Sequence, residues 1–220
     1  MPCVRSCKHS KWVLYICIAV KAEFETHINA HFSFLKERNI LVACSGGLDS
    51  MVLVKLFHLM EFSMGIAHCN FQLRGEASTL DAQFVEDWAK QHKIPFHCQT
   101  FETTLYAKTH KQTIQEAARN LRYDWFSKLL HTKGYDYLAT AHHADDNQET
   151  FFINLIRGTG IKGLLGIPSI SGQIVRPLLQ FSKANLLAYA KQSGLFWRED
   201  TTNQQTHYLR NALRLKVLPE

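Results

Sequence analysis

Apolar and polar residues follow one another along this chain in blocks that predict buried strands separated by helices. Continuous apolar runs, typical of strands buried on both faces of a parallel sheet, occur at 39–45, 64–71, 94–101 and 135–142. Helical periodicity follows them at 50–61, 78–93, 113–134 and 144–158. Because a helix follows each strand, we expect an α/β fold: a doubly wound, mainly parallel sheet flanked by helices.

The pattern changes after residue 158. The glycine-rich stretch 157–172 predicts an irregular loop that could act as a flap, and a short strand at 174–179 and a helix at 182–194 follow it. We expect a main domain over 26–205. Residues 206–220 are then the start of a linker helix to a further domain.

Residues 1–25 form a leader of uncertain role. Basic residues precede the apolar run 12–20, and Val20-Lys21-Ala22 follows it, which imitates a signal peptide. The run is too short to span a bilayer as a helix. The alternatives are an extra leading segment or an ordinary surface helix or strand.

The composition narrows the class of protein and the compartment in which it is expected. Hydrophobic residues make up 46% of the 220 positions and the net charge is +6, which suits one α/β domain that tolerates a polyanion such as RNA. The six cysteines have no CxxC spacing and predict neither a disulfide framework nor a zinc ribbon, so a cytoplasmic location fits best. They are Cys3, Cys7, Cys17, Cys44, Cys69 and Cys98.

The turn after the first strand carries the first candidate chemistry. Gly46 and Gly47 let backbone N–H groups converge, and the helix that follows presents its unpaired N–H groups to the same point, which favours an anion. Asp49 is unusual beside phosphates unless a cation such as Mg²⁺ lies between them. A structural turn would explain the glycines, but not Asp49 together with Ser45 and Ser50.

The stretch SGGLDS at 45–50 resembles the SGGxDS loop of the ATP pyrophosphatase (PP-loop) superfamily. Four further stretches, in the same order, are similar to the tRNA(Ile)-lysidine synthetase family: 67–85, 113–126, 139–167 and 198–214. The resemblance implies an adenine nucleotide α-hydrolase-like fold with ATP and Mg²⁺ as cofactors. It implies ATP binding by Ser45, Gly46, Gly47, Leu48, Asp49 and Ser50, with Asp49 also catalytic and the metal ligand.

The resemblance also implies the reaction. In this family ATP adenylates carbon 2 of the wobble cytidine in a tRNA(Ile) with a CAU anticodon, and the ε-amino group of free lysine then displaces AMP to form lysidine. The expected partners are tRNA(Ile) and L-lysine, without a membrane. The oligomeric state stays open, and a dimer is compatible with the sequence.

His142, Asp146 and Glu149 are spaced i, i+4, i+7 after the fourth predicted strand. By resemblance, Asp146 and Glu149 bind lysine and His142 belongs to the reaction centre. Two carboxylates suit a diamino acid. The alternative is an exposed acidic first turn that stabilises its own helix.

Arg119 and Arg122 share one face of the long helix predicted at 113–134, where a solvated surface is the alternative to a site. The resemblance places Arg119 at the active site, where it would stabilise charge on phosphates. His68 and Asn70 follow the second strand, where the base and ribose of ATP would lie, unless they only end that strand.

Arg74 either joins that site or caps a loop. Five polar residues match a terminal pattern of the family with structural or tRNA-contacting roles: Asp200, Asn203, Arg210, Asn211 and Arg214.

Two other functions stay open. A tRNA thiolase of the same superfamily is the nearer one, although thiolases with iron–sulfur clusters need CxxC-type ligands that this sequence lacks. A non-enzymatic nucleotide-binding module would explain the glycine turn but not the polar faces of the two helices. NAD, GMP and asparagine synthetases share the loop without the stretches 67–85 and 113–126.

Overall fold

The computed structural model describes residues 8–199, and the side chains of 20–199 apart from Lys162. The helices are α1 Lys8–His31, α2 Leu48–Leu59, α3 Glu76–Gln91, α4 Thr103–Thr109, α5 Ile114–Lys133, α6 Ala144–Ile156, α7 Ile161–Leu164 and α8 Lys183–Gln192, with a short 3₁₀ helix at Ser33–Glu37. The strands are β1 Ile40–Ala43, β2 Met64–Asn70, β3 Phe96–Thr100, β4 Tyr137–Ala139, β5 Ile170–Ser171 and β6 Ile174–Val175.

The six strands form one sheet in the order β3-β2-β1-β4-β6-β5. All neighbouring strands are parallel except β5 and β6, which pair antiparallel at the edge. The chain adds β2 and β3 on one side of β1 and then places β4 on the other side. This topology confirms the predicted doubly wound, mainly parallel sheet.

Strand β1 shows why its sequence is apolar throughout. Ile40 and Val42 are fully buried in the larger core, which includes residues of α1, α2 and α8. Leu41 is fully buried in a second core on the opposite face, together with Phe126 and Leu130 of α5. Because side chains alternate across a strand, only a continuous apolar run can serve both cores.

Helix α1 crosses the boundary predicted at residue 25. Val20, Phe24 and Ile28 lie on its inner face and are 2% exposed or less. The Phe24 ring lies 6.1 Å from Phe57 and 5.9 Å from Phe181, measured between centroids. Val20 and Phe24 therefore belong to the core of the domain, and the role of residues 1–25 as a leader stays a prediction. No helix within residues 8–199 is long and apolar enough to cross a membrane.

Local signals set the ends of α5. The Thr113 side chain accepts a hydrogen bond from Glu116 N, and the Glu116 carboxylate accepts one from Thr113 N at 2.9 Å. Gly134 ends the helix in the left-handed conformation with φ 71°. This helix carries several residues of the site, so its fixed ends position them.

The glycine-rich stretch 157–172 is more ordered than predicted, since it contains α7 and β5. Asn154 Nδ2 donates a hydrogen bond to Gly163 O at 2.7 Å, and Ile167 N donates one to Asn147 Oδ1 at 2.6 Å. Both asparagines belong to α6, so side chains of that helix hold the stretch in place. The predicted linker at 206–220 lies outside the described residues.

Candidate functional site

A cavity of about 510 Å³ opens at the carboxyl ends of the central strands. It lies where the strand order reverses, between the loop after β1 and the loop after β4. Ligands of open α/β sheets bind at such switch points. Polar residues that the sequence places after the first and the fourth predicted strands both line this cavity.

The loop after β1 is held by its own serines. Ser45 N and Gly47 N donate hydrogen bonds to Ser50 Oγ at 3.2 Å and Ser45 Oγ at 3.3 Å, and Ser50 Oγ donates one to Gly47 O at 2.9 Å. Helix α2 begins directly afterwards at Leu48. Since the first N–H groups of a helix have no partner within it, the loop and helix together offer a site for an anion.

Glycine is required at position 46. Its φ of 87° is a left-handed conformation, and a Cβ atom there would lie 3.2 Å from Val85 Cγ2 of α3. Gly46 O accepts a hydrogen bond from Arg198 N at 2.9 Å. The Arg198 side chain in turn donates from Nε to Asp81 Oδ1 at 2.8 Å, so the loop is fixed against both α3 and the segment that follows α8.

His143 links three carboxylates at the polar end of the cavity. The side chain is 2% exposed, and its Nε2 lies 3.6 Å from Asp49 Oδ2 and 3.5 Å from Asp146 Oδ2. Its Nδ1 lies 3.1 Å from Asp145 Oδ2. His143 N also donates a hydrogen bond to Asp146 Oδ2 at 3.1 Å. One imidazole ring therefore lies between the loop after β1 and the first turn of α6, with a carboxylate oxygen of each of the three residues within 3.6 Å.

The structure brings together half of the predicted site residues. Those that line the cavity are Ser45, Gly47, Asp49, Ser50, His142 and Asp146. Those that lie outside its lining are Gly46, Leu48, His68, Asn70, Arg119 and Glu149. Leu48 packs against the larger core, so only its backbone remains near the loop.

His68 and Asn70 end β2 and are both buried. The His68 Nδ1 atom lies 2.9 Å from Cys44 O, and burial lowers the pKa of this imidazole. Asn70 Oδ1 accepts a hydrogen bond from Gln72 N at 3.0 Å. Both side chains therefore shape the strand end, and ATP binding by them stays a prediction.

On α5, Arg122 lines the cavity and Arg119 does not. Arg119 is exposed and its guanidinium lies 5.0 Å from the ring centroid of Tyr123, which is itself a lining residue. Arg122 lies 5.2 Å from the ring centroid of Phe71. Arg74 pairs with buried Asp81 at 2.6 Å, which is the loop-stabilising alternative that the sequence left open.

His142 precedes α6 by two residues, so helical spacing does not apply to it. Its Nδ1 lies 2.9 Å from Thr140 Oγ1. Glu149 is on α6 but only 2% exposed, and lysine binding by it stays a prediction.

Sequence reasoning did not select several lining residues. His143 and Lys183 belong to the group of polar residues around Asp49 and Asp145, which we call the polar end of the cavity. Ala67, Cys69 and Phe126 of the second core, with Phe71, make up what we call its apolar end, and Arg198 also lines the cavity. In the sequence, His143 was marked only by the carboxylates that follow it at the start of α6. Asp200, Asn203, Arg210, Asn211 and Arg214 lie outside the described residues.

Curated relatives are named tRNA(Ile)-lysidine synthase. The protein from Bacteroides thetaiotaomicron is 44% identical over 193 residues, which cover 88% of this chain and 45% of that protein. The one from Chlorobaculum tepidum is 45% identical over 184 residues, which cover 82% of this chain and 56% of that protein. The chain thus spans about half the length of these curated relatives.

Among solved structures, the U34-tRNA thiolase NcsA from Methanococcus maripaludis, described with its [4Fe-4S] cluster, has a TM-score of 0.70 at 17% identity. The match covers 90% of this chain and 71% of that chain, and it shows a shared fold. The model of the PP-loop domain family matches residues 20–220. The chain therefore belongs to the PP-loop domain family, and this membership implies that it binds ATP.

Proposed function

We propose that this chain is the ATP-using catalytic domain of a tRNA(Ile)-lysidine synthase, with tRNA(Ile) and free L-lysine as its other substrates. One observation carries the proposal: the phosphate-type loop after β1 and the Asp146 carboxylate face the same cavity, joined through His143. An anion site and a carboxylate side by side suit ATP and an amine nucleophile. The names of the relatives support the same reaction.

The loop Ser45–Ser50 and the start of α2 would bind the triphosphate through backbone N–H groups. Asp49 supplies oxygen atoms of the kind that Mg²⁺ prefers. When bound, Mg²⁺ would neutralise phosphate charge, with Asp49 as its protein ligand.

In the proposed reaction, the oxygen on carbon 2 of the cytidine attacks the α-phosphorus and pyrophosphate leaves. The lysine ε-amine then attacks carbon 2 and AMP leaves. The ε-ammonium group has a reference pKa near 10.4, so deprotonation at pH 7 costs about 4.6 kcal/mol. Asp146, with Glu149 as its predicted partner, would hold the amine, and one of these carboxylates or His142 would accept the proton. Arg119 would act from the rim, since its guanidinium lies 5.0 Å from the ring centroid of Tyr123, which lines the cavity.

We propose a domain that begins near residue 20 instead of 26, because Val20 and Phe24 belong to its core. We also propose a cytoplasmic location, where tRNA is available. Among the described cysteines, Cys44, Cys69 and Cys98 are all free thiols, as expected in a reducing compartment.

The thiolase alternative has less support at this cavity. Cys44 and Cys69 line it, but burial raises the pKa of Cys44 to about 11 and that of Cys69 to about 12. Both are therefore thiols in the metal-free chain, and their spacing is not of the CxxC type that iron–sulfur clusters use.

The decisive experiment incubates the chain with ATP, labelled lysine and a tRNA(Ile) that carries a CAU anticodon. We expect ATP-dependent label on the RNA, measured after acid precipitation, and none on the same tRNA with a GAU anticodon. ATP cleavage with sulfur transfer would support the thiolase. ATP binding without any turnover in the full-length context would favour the inert module.

His143 offers a second prediction. We expect His143→Asn to lower kcat/KM for lysine transfer by about 10- to 100-fold, because the ring no longer holds Asp49 and Asp146 in place. His131→Asn is the matched control, since His131 is exposed on α5 and does not line the cavity. Equal activities of the His143→Asn variant and the parent chain, measured on folded samples, would contradict the positioning role.

An unchanged pH–rate profile in His142→Ala would remove that histidine as the proton acceptor.

A further inference from the structure

The loop after β1 lacks the lysine that the common GxxxxGK[ST] phosphate loop places beside the phosphates. It carries Asp49 instead, whose charge opposes that of a triphosphate. The fold brings a lysine to the same cavity from far along the chain. Lys183, the first residue of α8, is half-buried and lines the cavity.

A chain of contacts fixes the start of α8 beside the loop. Lys183 N donates a hydrogen bond to Asp145 Oδ2 at 2.6 Å, and the same oxygen lies 3.1 Å from His143 Nδ1. The other nitrogen of that ring lies 3.6 Å from Asp49 Oδ2. Lys183 is thus anchored by its backbone at the polar end of the cavity, and its side chain is not needed for the anchor.

The other two arginine or lysine side chains that line the cavity already have a partner in the protein. Arg198 is bonded to buried Asp81. The Arg122 guanidinium lies over Phe71, at the apolar end. Lys183 takes part in none of the ion pairs that the described residues form. Among the described residues that line the cavity, it is therefore the cation at the polar end whose charge is not taken up by an ion pair.

We propose that the Lys183 ammonium contacts the β- and γ-phosphates of ATP, a role that rests on the proposed use of ATP at this loop. The apolar end suits the adenine ring, which leaves the phosphates at the polar end, near Lys183. When the bond from the α-phosphorus to the bridging oxygen breaks, its electron pair passes to pyrophosphate. A fixed ammonium group stabilises that charge.

The test compares nucleotide affinities in Lys183→Met and Lys183→Arg by calorimetry with ATP, AMP and inorganic pyrophosphate, each in the presence of Mg²⁺. We expect Lys183→Met to weaken ATP and pyrophosphate binding by about 10- to 100-fold, the range for a hydrogen bond to a charged group. AMP affinity should stay within about twofold, because AMP lacks the two phosphates. Lys183→Arg should recover most of the ATP affinity, because it keeps the charge.

Lys191→Met is the matched control, since Lys191 is exposed near the other end of the same helix. It should bind all three ligands as the parent chain does. Equal losses of ATP and AMP affinity in Lys183→Met, or unchanged ATP and pyrophosphate affinity, would overturn the proposal. Lysine transfer by the parent chain is measured in a separate assay. If the chain transfers no lysine but Lys183→Met still weakens the binding of ATP and pyrophosphate and not that of AMP, only the proposed function is contradicted.

Discussion

Asp49→Asn should reduce lysine transfer to tRNA(Ile) by at least about 100-fold, because it removes the carboxylate proposed to hold Mg²⁺ against the phosphates. The substitution keeps the size of the side chain and the course of α2. ATP affinity should also lose much of its dependence on Mg²⁺. Single-turnover transfer of labelled lysine and calorimetric titration of ATP at several Mg²⁺ concentrations measure the two effects.

Asp124→Asn is the control for the change of charge. Asp124 is exposed on α5 and does not line the cavity, so its variant should keep both activity and Mg²⁺ dependence. If Asp49→Asn retained activity within a few-fold of the parent chain, the proposed roles of Asp49 as catalytic residue and metal ligand would both be wrong.

Phe24→Ala should lower the free energy of unfolding by about 3–5 kcal/mol, the cost of removing a fully buried aromatic ring. The ring packs against Phe57 of α2 and against Phe181, which lies just before α8. Urea denaturation, followed by tryptophan fluorescence, measures the change in midpoint at constant slope.

Glu23→Ala changes the neighbouring residue, which is exposed on the same helix, and should alter stability by no more than about 0.5 kcal/mol. A Phe24→Ala variant as stable as Glu23→Ala would mean that α1 is a detachable leader after all. The comparison therefore tests where the domain begins.

The sheet could be predicted because its central strands are buried on both faces. Strands of that kind are apolar throughout, as β1 is, and their runs are visible without knowledge of the contacts. Helix α1 was obscured by a different signal. The apolar run 12–20 next to basic residues imitates a signal peptide, although Val20, Phe24 and Ile28 continue with helical spacing beyond it. α7 and β5 are too short for any periodicity to appear.

In the site, the loop Ser45–Ser50 was predictable because its chemistry is local. His143 was not, since its role depends on Asp49, a residue almost a hundred positions earlier, and on a ring turned inward just before α6 begins. Lys183 lies in an ordinary amphipathic helix and carries no local signal. Arg119 and Arg122 lie on the same helix face, and only the packing of α5 on the sheet decides which of them reaches the cavity.

The hydrogen bond from Arg198 N to Gly46 O joins two points about 150 positions apart in the sequence. The shape of the glycine turn is therefore not a local property of its six residues. A displacement of residue 198 must also disturb the turn, because the backbone bond and the bond from its side chain to Asp81 would break together. Cleavage or substitution around residue 198 should therefore change the nucleotide affinity, although this residue is far from the turn in the sequence.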